Sequence, residues 1–137
     1  PMLWDDLVYD PELIGPDGKR MGRQEVRFDR NLHAFFQAAI ALRHEVPVFN
    51  TGGFRWLILD DAAGTLAFER AEGKAQALVV FNRSEQSQTV RLTAPAEWPE
   101  GEVSARFVSD GGSAVLRCSG GEALVAMAPW SAAVFLP

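Results

Sequence analysis

The chain of 137 residues has little cysteine, no excess of positive charge and no long apolar segment. Cys118 is its only cysteine, which excludes an internal disulfide and a metal site built from several cysteines. The net charge is −5 and the basic residues are not clustered, so we expect no nucleic-acid partner. No apolar run reaches the roughly 18 to 20 residues of a membrane span, and no signal peptide opens the chain. These absences predict no membrane partner and favour a cytoplasmic location.

The length permits one compact domain, or one domain with a short appendage, and hydrophobic residues make up 47% of the composition. A complete α/β barrel of roughly 250 residues does not fit. Residues 1–28 are polar and broken by prolines and glycines, so they are predicted to form a long loop. Loops longer than about 15 residues are uncommon in compact domains, which indicates support from structure outside this chain.

One amphipathic helix is predicted from Asp29 to Glu45. Asp29 is a suitable N-cap, and the helix is expected to end before Pro47. Apolar residues then recur at spacings of three and four on one broad face, namely Leu32, Phe35, Phe36, Ala39, Ile40 and Leu42. That face needs a partner, either in the rest of the chain, outside it, or both.

From Phe54 onward the pattern is typical of short strands joined by turns. The predicted strands are Phe54–Leu59, Thr65–Arg70, Gln76–Asn82, Gln88–Thr93, Glu102–Ser109, Ala114–Cys118, Glu122–Ala128 and Ser131–Leu136. The continuously apolar run from Ala77 to Phe81 indicates a central strand that is covered on both sides. The predicted fold is therefore mainly β: an antiparallel β-sandwich of about eight strands, preceded by a long loop and one helix.

Four stretches follow one another in a characteristic order. They are Pro1–Asp6 with the sequence PMLWDD, the helix ending Ile40–His44, the strand and turn Leu78–Ser84, and the closing Ala128–Val134. Together they resemble the end of an α-amylase-family glycoside hydrolase, closest to the neopullulanase and cyclomaltodextrinase type. The resemblance implies that residues 1–49 are the tail of a catalytic (β/α)8 barrel, whose other helices would help to cover the apolar helix face. Residues 50–137 would form the family's C-terminal β-sandwich domain.

The function implied by this resemblance is that of a non-catalytic domain, which stabilises the barrel of an enzyme acting on α-glucans or maltodextrins. Its partners would be the catalytic barrel and an α-glucan or maltooligosaccharide, and a homodimer is left open. The family's Asp nucleophile, Glu acid and base, and second Asp belong to earlier barrel strands and have no counterpart in this chain. An autonomous carbohydrate-binding β-sandwich is the alternative. In another alternative, Met2 is a true initiator and the protein is small and free-standing.

No catalytic residue, metal site or cofactor is predicted. Retaining glycoside hydrolysis needs two carboxyl groups roughly 5 to 5.5 Å apart. The adjacent pairs Asp5–Asp6 and Asp60–Asp61 are expected to be solvated loop residues instead. His33 and His44 lie eleven residues apart on one helix, about 16 Å, and are expected to be surface or packing histidines.

Trp4 is the candidate substrate-binding residue, because the resemblance places PMLWDD after the eighth barrel strand, beside the sugar cleft. Trp56 and Trp130 are expected to pack in the core, and Trp98 to cover it. Asn82-Arg83-Ser84 matches a glycosylation triplet, but its place at a strand end favours a hydrogen-bonded turn. Cys118 is expected to be a small buried hydrophobe.

Overall fold

The computed structural model describes residues 3–137, which form two compact units divided between Ala38 and Ala39. Pro1 and Met2 lie outside the described residues, and with them the first part of PMLWDD and the alternative initiator Met2. Eleven strands and two helices make up the described secondary structure. The chain is mainly β, as predicted.

The first unit contains a hairpin where a loop was expected. Strand β1 (Glu12–Ile14) pairs antiparallel with β2 (Arg20–Gln24). The connection is closed by a hydrogen bond from the Gly15 amide to the Lys19 carbonyl at 2.8 Å, and Gly18 adopts a left-handed φ of 76°. The prediction of an unbroken loop over residues 1–28 is therefore wrong, because these glycines close a hairpin.

Helix α1 (Arg30–Glu45) begins where the sequence predicted. The Asp29 carboxylate accepts from the backbone amides of Asn31 at 2.9 Å and Leu32 at 3.0 Å, so it is the predicted N-cap. A one-turn helix, α2 (Val48–Thr51), follows Pro47 and was not predicted. No residue of α1 is buried. Leu32, Phe36 and Ile40 on its apolar face are each more than half exposed.

The second unit holds two antiparallel sheets arranged as a sandwich. The five-stranded sheet has the order β3-β4-β5-β11-β8, and the four-stranded sheet has the order β6-β10-β9-β7. The strands are β3 (Gly53–Asp60), β4 (Thr65–Glu72), β5 (Ala75–Asn82), β6 (Gln88–Thr93), β7 (Gly101–Ser104), β8 (Phe107–Val108), β9 (Val115–Ser119), β10 (Glu122–Met127) and β11 (Ser131–Phe135). The predicted antiparallel sandwich is confirmed, with nine strands after the helices where eight were expected.

The additional strand arises because one predicted strand is in fact two, β7 in the four-stranded sheet and β8 in the five-stranded sheet. The Ala105 amide donates to the Ala114 carbonyl at 2.8 Å and continues the pairing of β7 with β9. The next amide, that of Arg106, donates to Val134 in β11 at 2.8 Å. The chain thus passes from one sheet to the other between these two residues, and the single strand predicted over Glu102–Ser109 is wrong.

The core lies between the two sheets. Fully buried side chains from the five-stranded sheet include Leu78, Val80 and Phe135, and those from the four-stranded sheet include Leu116, Val125 and Met127. Strand β5 pairs with β4 on one side and β11 on the other, and Ala77 through Val80 are all buried. The prediction of a central, covered strand is confirmed.

Candidate functional site

The predicted substrate-binding residue Trp4 lies in a tight turn of the first unit. Its backbone amide donates to the Tyr9 hydroxyl, and its carbonyl accepts from the Leu7 amide at 3.4 Å. These local hydrogen bonds hold the backbone while 57% of the residue stays exposed. Trp4 is therefore positioned by its main chain, and its indole is available for contact.

The start of α1 provides a second aromatic surface. Phe28 precedes the N-cap Asp29, and its ring lies 5.1 Å from the imidazole of His33, measured between ring centroids. These are the N′ and N4 positions, which often pack together and fix how the chain enters a helix. His33 is thus a packing histidine at the helix start, as expected, and the capping pattern itself would have identified its partner.

Charged groups complete this surface. The Arg30 guanidinium Nη1 lies 3.1 Å from the Asp5 carboxylate Oδ2, and both side chains are exposed. The same guanidinium lies 5.9 Å from the centroid of the Phe28 ring, within the range of a cation–π contact. Arg30 was not singled out from the sequence. It connects the segment that carries Trp4 to the first turn of α1.

Together these residues form what we call the Trp4 groove, of about 510 Å³. Its lining residues within the described chain are Leu3, Trp4, Asp5, Phe28, Arg30, His33, Ala34 and Gln37. Aromatic rings combined with a few polar groups are typical of a ligand site. Asp5 is the single carboxylate among these lining residues, so the described groove does not supply the carboxyl pair that retaining glycoside hydrolysis uses.

The other carboxylates and the second histidine do not join this groove. Asp60 ends β3 and Asp61 begins the connection to β4; both are exposed, and the Asp60 carboxylate accepts from the Ala63 amide at 2.9 Å. His44 is exposed in the last turn of α1. Within residues 3–137, no three His, Cys, Asp or Glu side chains lie close enough together to hold a metal ion.

Two of the other three tryptophans are less buried than the sequence predicted. Trp98, which was expected to cover the core, is 9% exposed and belongs to the core cluster. Trp56 is 50% exposed and Trp130 is 66% exposed, so the expectation that both pack in the core is wrong. Trp56 lies on the outer side of the five-stranded sheet, beside Phe54 and Phe68. Trp130 lies in the turn between β10 and β11, outside the strand in which packing was expected.

Asn82-Arg83-Ser84 forms the predicted turn. The Asn82 side chain is 1% exposed, and its Oδ1 accepts from the amide of Ser84 at 2.9 Å and the hydroxyl of Ser84 at 2.7 Å. Its Nδ2 donates to the carbonyls of Gln86 at 2.7 Å and Ala128 at 2.9 Å. Because this amide nitrogen is buried and engaged, the turn interpretation of the triplet is confirmed for the folded chain.

Comparison with known proteins gives the same family that the sequence motifs suggested. A cyclomaltodextrinase from Bacillus sp is 30% identical over 91 residues, which are 61% of this chain and 16% of that enzyme. The α-amylase of Anoxybacillus matches 88% of this chain and 25% of its own, with 21% identity and a TM-score of 0.64. An isomaltulose synthase from Klebsiella sp matches 74% of this chain and 16% of its own, with 26% identity and a TM-score of 0.53. No family model matches.

These likenesses confirm the resemblance to α-amylase-family enzymes of the cyclomaltodextrinase type. The chain spans about a sixth of the length of the curated relative it matches. It spans a similarly small share of the solved structures, consistent with one domain of a larger enzyme. In the part of the chain that the structure describes, no helix is long and apolar enough to cross a membrane.

Proposed function

We propose that this chain is the C-terminal, non-catalytic part of an α-amylase-type glycoside hydrolase that acts on α-glucans or maltodextrins. In this proposal residues 1–49 complete the catalytic barrel and residues 50–137 form a β-sandwich that stabilises it. The small share of the relatives that the chain spans supports its being one part of a larger enzyme. A cytosolic location is part of the proposal, because the one cysteine is a buried free thiol that needs no oxidising compartment.

The observation that carries the proposal is the exposed apolar stripe of α1. Leu32, Phe36 and Ile40 recur every fourth residue and are 54%, 54% and 56% exposed. Residues at this spacing lie on one face of a helix, and an apolar stripe of this kind normally faces a core. Burying each such side chain is worth roughly 1.5 to 3 kcal/mol, so this stripe is a strong binding surface. A preceding barrel is the partner that accounts for both the stripe and the size of the relatives.

In the same proposal Trp4 is a substrate-binding residue at the edge of the sugar cleft. The exposed indole, the Phe28 and His33 rings and the Asp5–Arg30 pair together offer apolar faces and hydrogen-bonding groups. Sugar rings need both, because one face of the ring is apolar and the hydroxyl groups require polar partners. The catalytic carboxylates would come from the barrel strands that precede this chain.

The test of the proposal compares one substitution in two chains. Phe36→Asp introduces a charge into the apolar stripe, and Ala38→Asp introduces the same charge at an exposed position on the opposite side of α1. In this chain alone, both variants are expected to change stability by less than about 0.5 kcal/mol beyond helix propensity, since both sites are exposed.

In the longer polypeptide that contains the barrel strands, we expect Phe36→Asp to lower the thermal midpoint by several degrees relative to Ala38→Asp, because it buries an unpaired charge. Equal effects of the two variants in the longer polypeptide would refute the packing of α1 on a barrel. A native reading frame without upstream barrel strands bearing the Asp, Glu and Asp residues would refute the proposal as a whole.

A further inference from the structure

One side chain binds both backbone groups of Trp4. The Trp4 amide donates to the Tyr9 hydroxyl oxygen, and that hydroxyl donates to the Trp4 carbonyl at 3.3 Å. A tyrosine hydroxyl can make both bonds at once, because it carries one proton and also accepts through its lone pairs. Among the described residues, no other side chain is hydrogen-bonded to the backbone of Trp4. Tyr9 therefore closes the short loop from residue 4 to residue 9.

The indole of Trp4 has no comparable anchor. Within the described part of the chain, its ring makes no hydrogen bond and no contact with another aromatic ring, and the residue is 57% exposed. Residues 5–8 and 10 are exposed as well, whereas Tyr9 is partly buried. The direction of the indole is therefore decided mainly by the main chain of Trp4, and that main chain is held by Tyr9.

The ion pair that also holds this segment is a weaker constraint. Asp5 follows Trp4 directly, and its Oδ2 lies 3.1 Å from Nη1 of Arg30 in the first turn of α1. Both side chains are more than half exposed, and an ion pair of this kind is screened by water. Asp5 and Arg30 also line the Trp4 groove, so replacing either changes the groove itself. Tyr9 is the residue through which the position of Trp4 can be changed alone.

Tyr9 does not belong to the residues that line the Trp4 groove. An effect of its hydroxyl on a ligand in the groove is therefore expected to pass through Trp4. A loop that samples several arrangements weakens binding in proportion to the fraction of time that the indole is correctly placed. Ordering the loop before the ligand arrives removes this loss.

We propose that Tyr9 is a positioning residue for sugar binding in the Trp4 groove. Its hydroxyl holds the loop so that the indole of Trp4 is already in place when an α-glucan chain binds. The identity of the ligand rests on the proposed function, whereas the constraint on Trp4 rests on the two hydrogen bonds of the Tyr9 hydroxyl.

The first experiment is a double-mutant cycle in the longer enzyme, with maltoheptaose as the substrate. Tyr9→Phe keeps the ring and removes both hydrogen bonds, so it should raise KM about threefold or more with little change in kcat. In the Trp4→Ala background the same substitution should leave KM unchanged, because no indole remains to be positioned. Val8→Ala is the matched control, since Val8 is fully exposed beside Tyr9, and it should leave KM unchanged.

The second experiment measures hydrogen exchange of the Trp4 amide in this chain by NMR, without any sugar. Tyr9→Phe should speed this exchange about fivefold or more, whereas Val8→Ala should not change it. An unchanged exchange rate in Tyr9→Phe overturns the positioning of Trp4 by Tyr9. The proposal is also overturned if Tyr9→Phe raises KM equally in the parent and in the Trp4→Ala background, or leaves KM unchanged where Trp4→Ala raises it.

An unchanged KM in Trp4→Ala would overturn the sugar-binding role of both residues. The exchange rates would still show whether Tyr9 holds the loop. Failure of the proposed function as a whole appears in a different measurement, the comparison of Phe36→Asp with Ala38→Asp in the longer polypeptide.

Discussion

Arg55 donates two hydrogen bonds to one carboxylate oxygen of Glu69, from Nε at 3.0 Å and from Nη2 at 2.7 Å. The two residues are direct partners in the pairing of β3 with β4. The Glu69 side chain is 6% exposed and that of Arg55 is 61% exposed. The pair thus connects a buried acid to solvent, and it explains how β4 accommodates a charge between the buried Ala67 and the partly buried Ala71.

Replacing Arg55 with alanine should destabilise the chain by about 1 to 3 kcal/mol, because it leaves a buried carboxylate without its donor. The estimate is below that for a fully buried pair, since solvent screens the exposed guanidinium. Urea denaturation measures the change. Arg91→Ala is the matched control: Arg91 in β6 and Glu122 in β10 form a cross-strand pair with both side chains exposed, so this variant should lose less than about 1 kcal/mol. Equal losses would contradict this account of Glu69.

Substitution of Asn82 should be among the most damaging polar changes. Asn82→Asp would turn the donor that faces the Gln86 and Ala128 carbonyls into a negatively charged acceptor. We expect a loss of about 2 to 4 kcal/mol, from a buried repulsion and two unsatisfied carbonyls. Asn50→Asp, at an exposed amide in α2, is the control and should lose less than about 1 kcal/mol. Thermal denaturation of both variants measures these losses. A small loss in Asn82→Asp would show that the turn rearranges to accommodate the charge.

Elements with strong local signals were predictable from the sequence. Strand β6 (Gln88–Thr93) has the predicted bounds, because alternation of side chains and polar flanking residues mark both ends. The N-cap Asp29 was also identified from sequence, since a capping carboxylate acts on amides two and three residues away. The apolar stripe of α1 was also predicted, but the sequence left open whether the rest of the chain covers it.

Features that depend on distant partners were not predictable. The alternation from Val103 to Phe107 continues unbroken while the chain changes sheets, so no local residue marks the passage between β7 and β8. Trp130 was expected in the core because tryptophan is usually well buried. It lies instead in a turn with a left-handed φ, where its amide donates to the carbonyl of Ser84, 46 positions earlier in the chain.

Gly52 should tolerate no side chain, although its φ of −65° is available to any residue. A Cβ there would lie 2.6 Å from both Cγ2 and the carbonyl oxygen of the buried Val48. Gly52→Ala is expected to destabilise by about 1 to 3 kcal/mol through this overpacking. The adjacent Gly53→Ala is the control, because its Cβ would make an ordinary 3.5 Å contact with Ala71. The urea midpoint of Gly52→Ala should be lower than that of Gly53→Ala. An unchanged midpoint in Gly52→Ala would mean that α2 moves to make room for the methyl group.

Cys118 should lower the unfolding free energy of the chain at alkaline pH. Burial, and then the nearby Glu100 charge, raise the pKa of its thiol above the ordinary value. The folded state thus binds the proton more tightly than the unfolded state. This contribution to stability is complete below the unfolded pKa of about 8.5 and is lost as the pH rises through the folded pKa.

The measurement is the unfolding free energy of the parent and of Cys118→Ala between about pH 7 and pH 10.5. The difference between them should shrink with rising pH in that window. A thiol reagent gives a second check, since Cys118 is the only cysteine. It should react at neutral pH only after unfolding. Rapid labelling of the folded chain, or parallel stability curves, would contradict the assignment of a buried thiol.

A substitution of Trp4 can distinguish a role in sugar binding from a role in folding, because Trp4 is exposed and its position is held by backbone hydrogen bonds. In the longer enzyme, Trp4→Ala should raise KM for maltodextrins about fivefold or more, roughly 1 kcal/mol of binding, with little change in kcat. Trp4→Phe should recover part of the loss, since it restores an aromatic face. Trp56→Ala, another exposed indole outside the groove, should leave KM unchanged. If Trp4→Ala instead lowers the thermal midpoint while KM stays constant, Trp4 packs beneath its loop and does not contact the sugar.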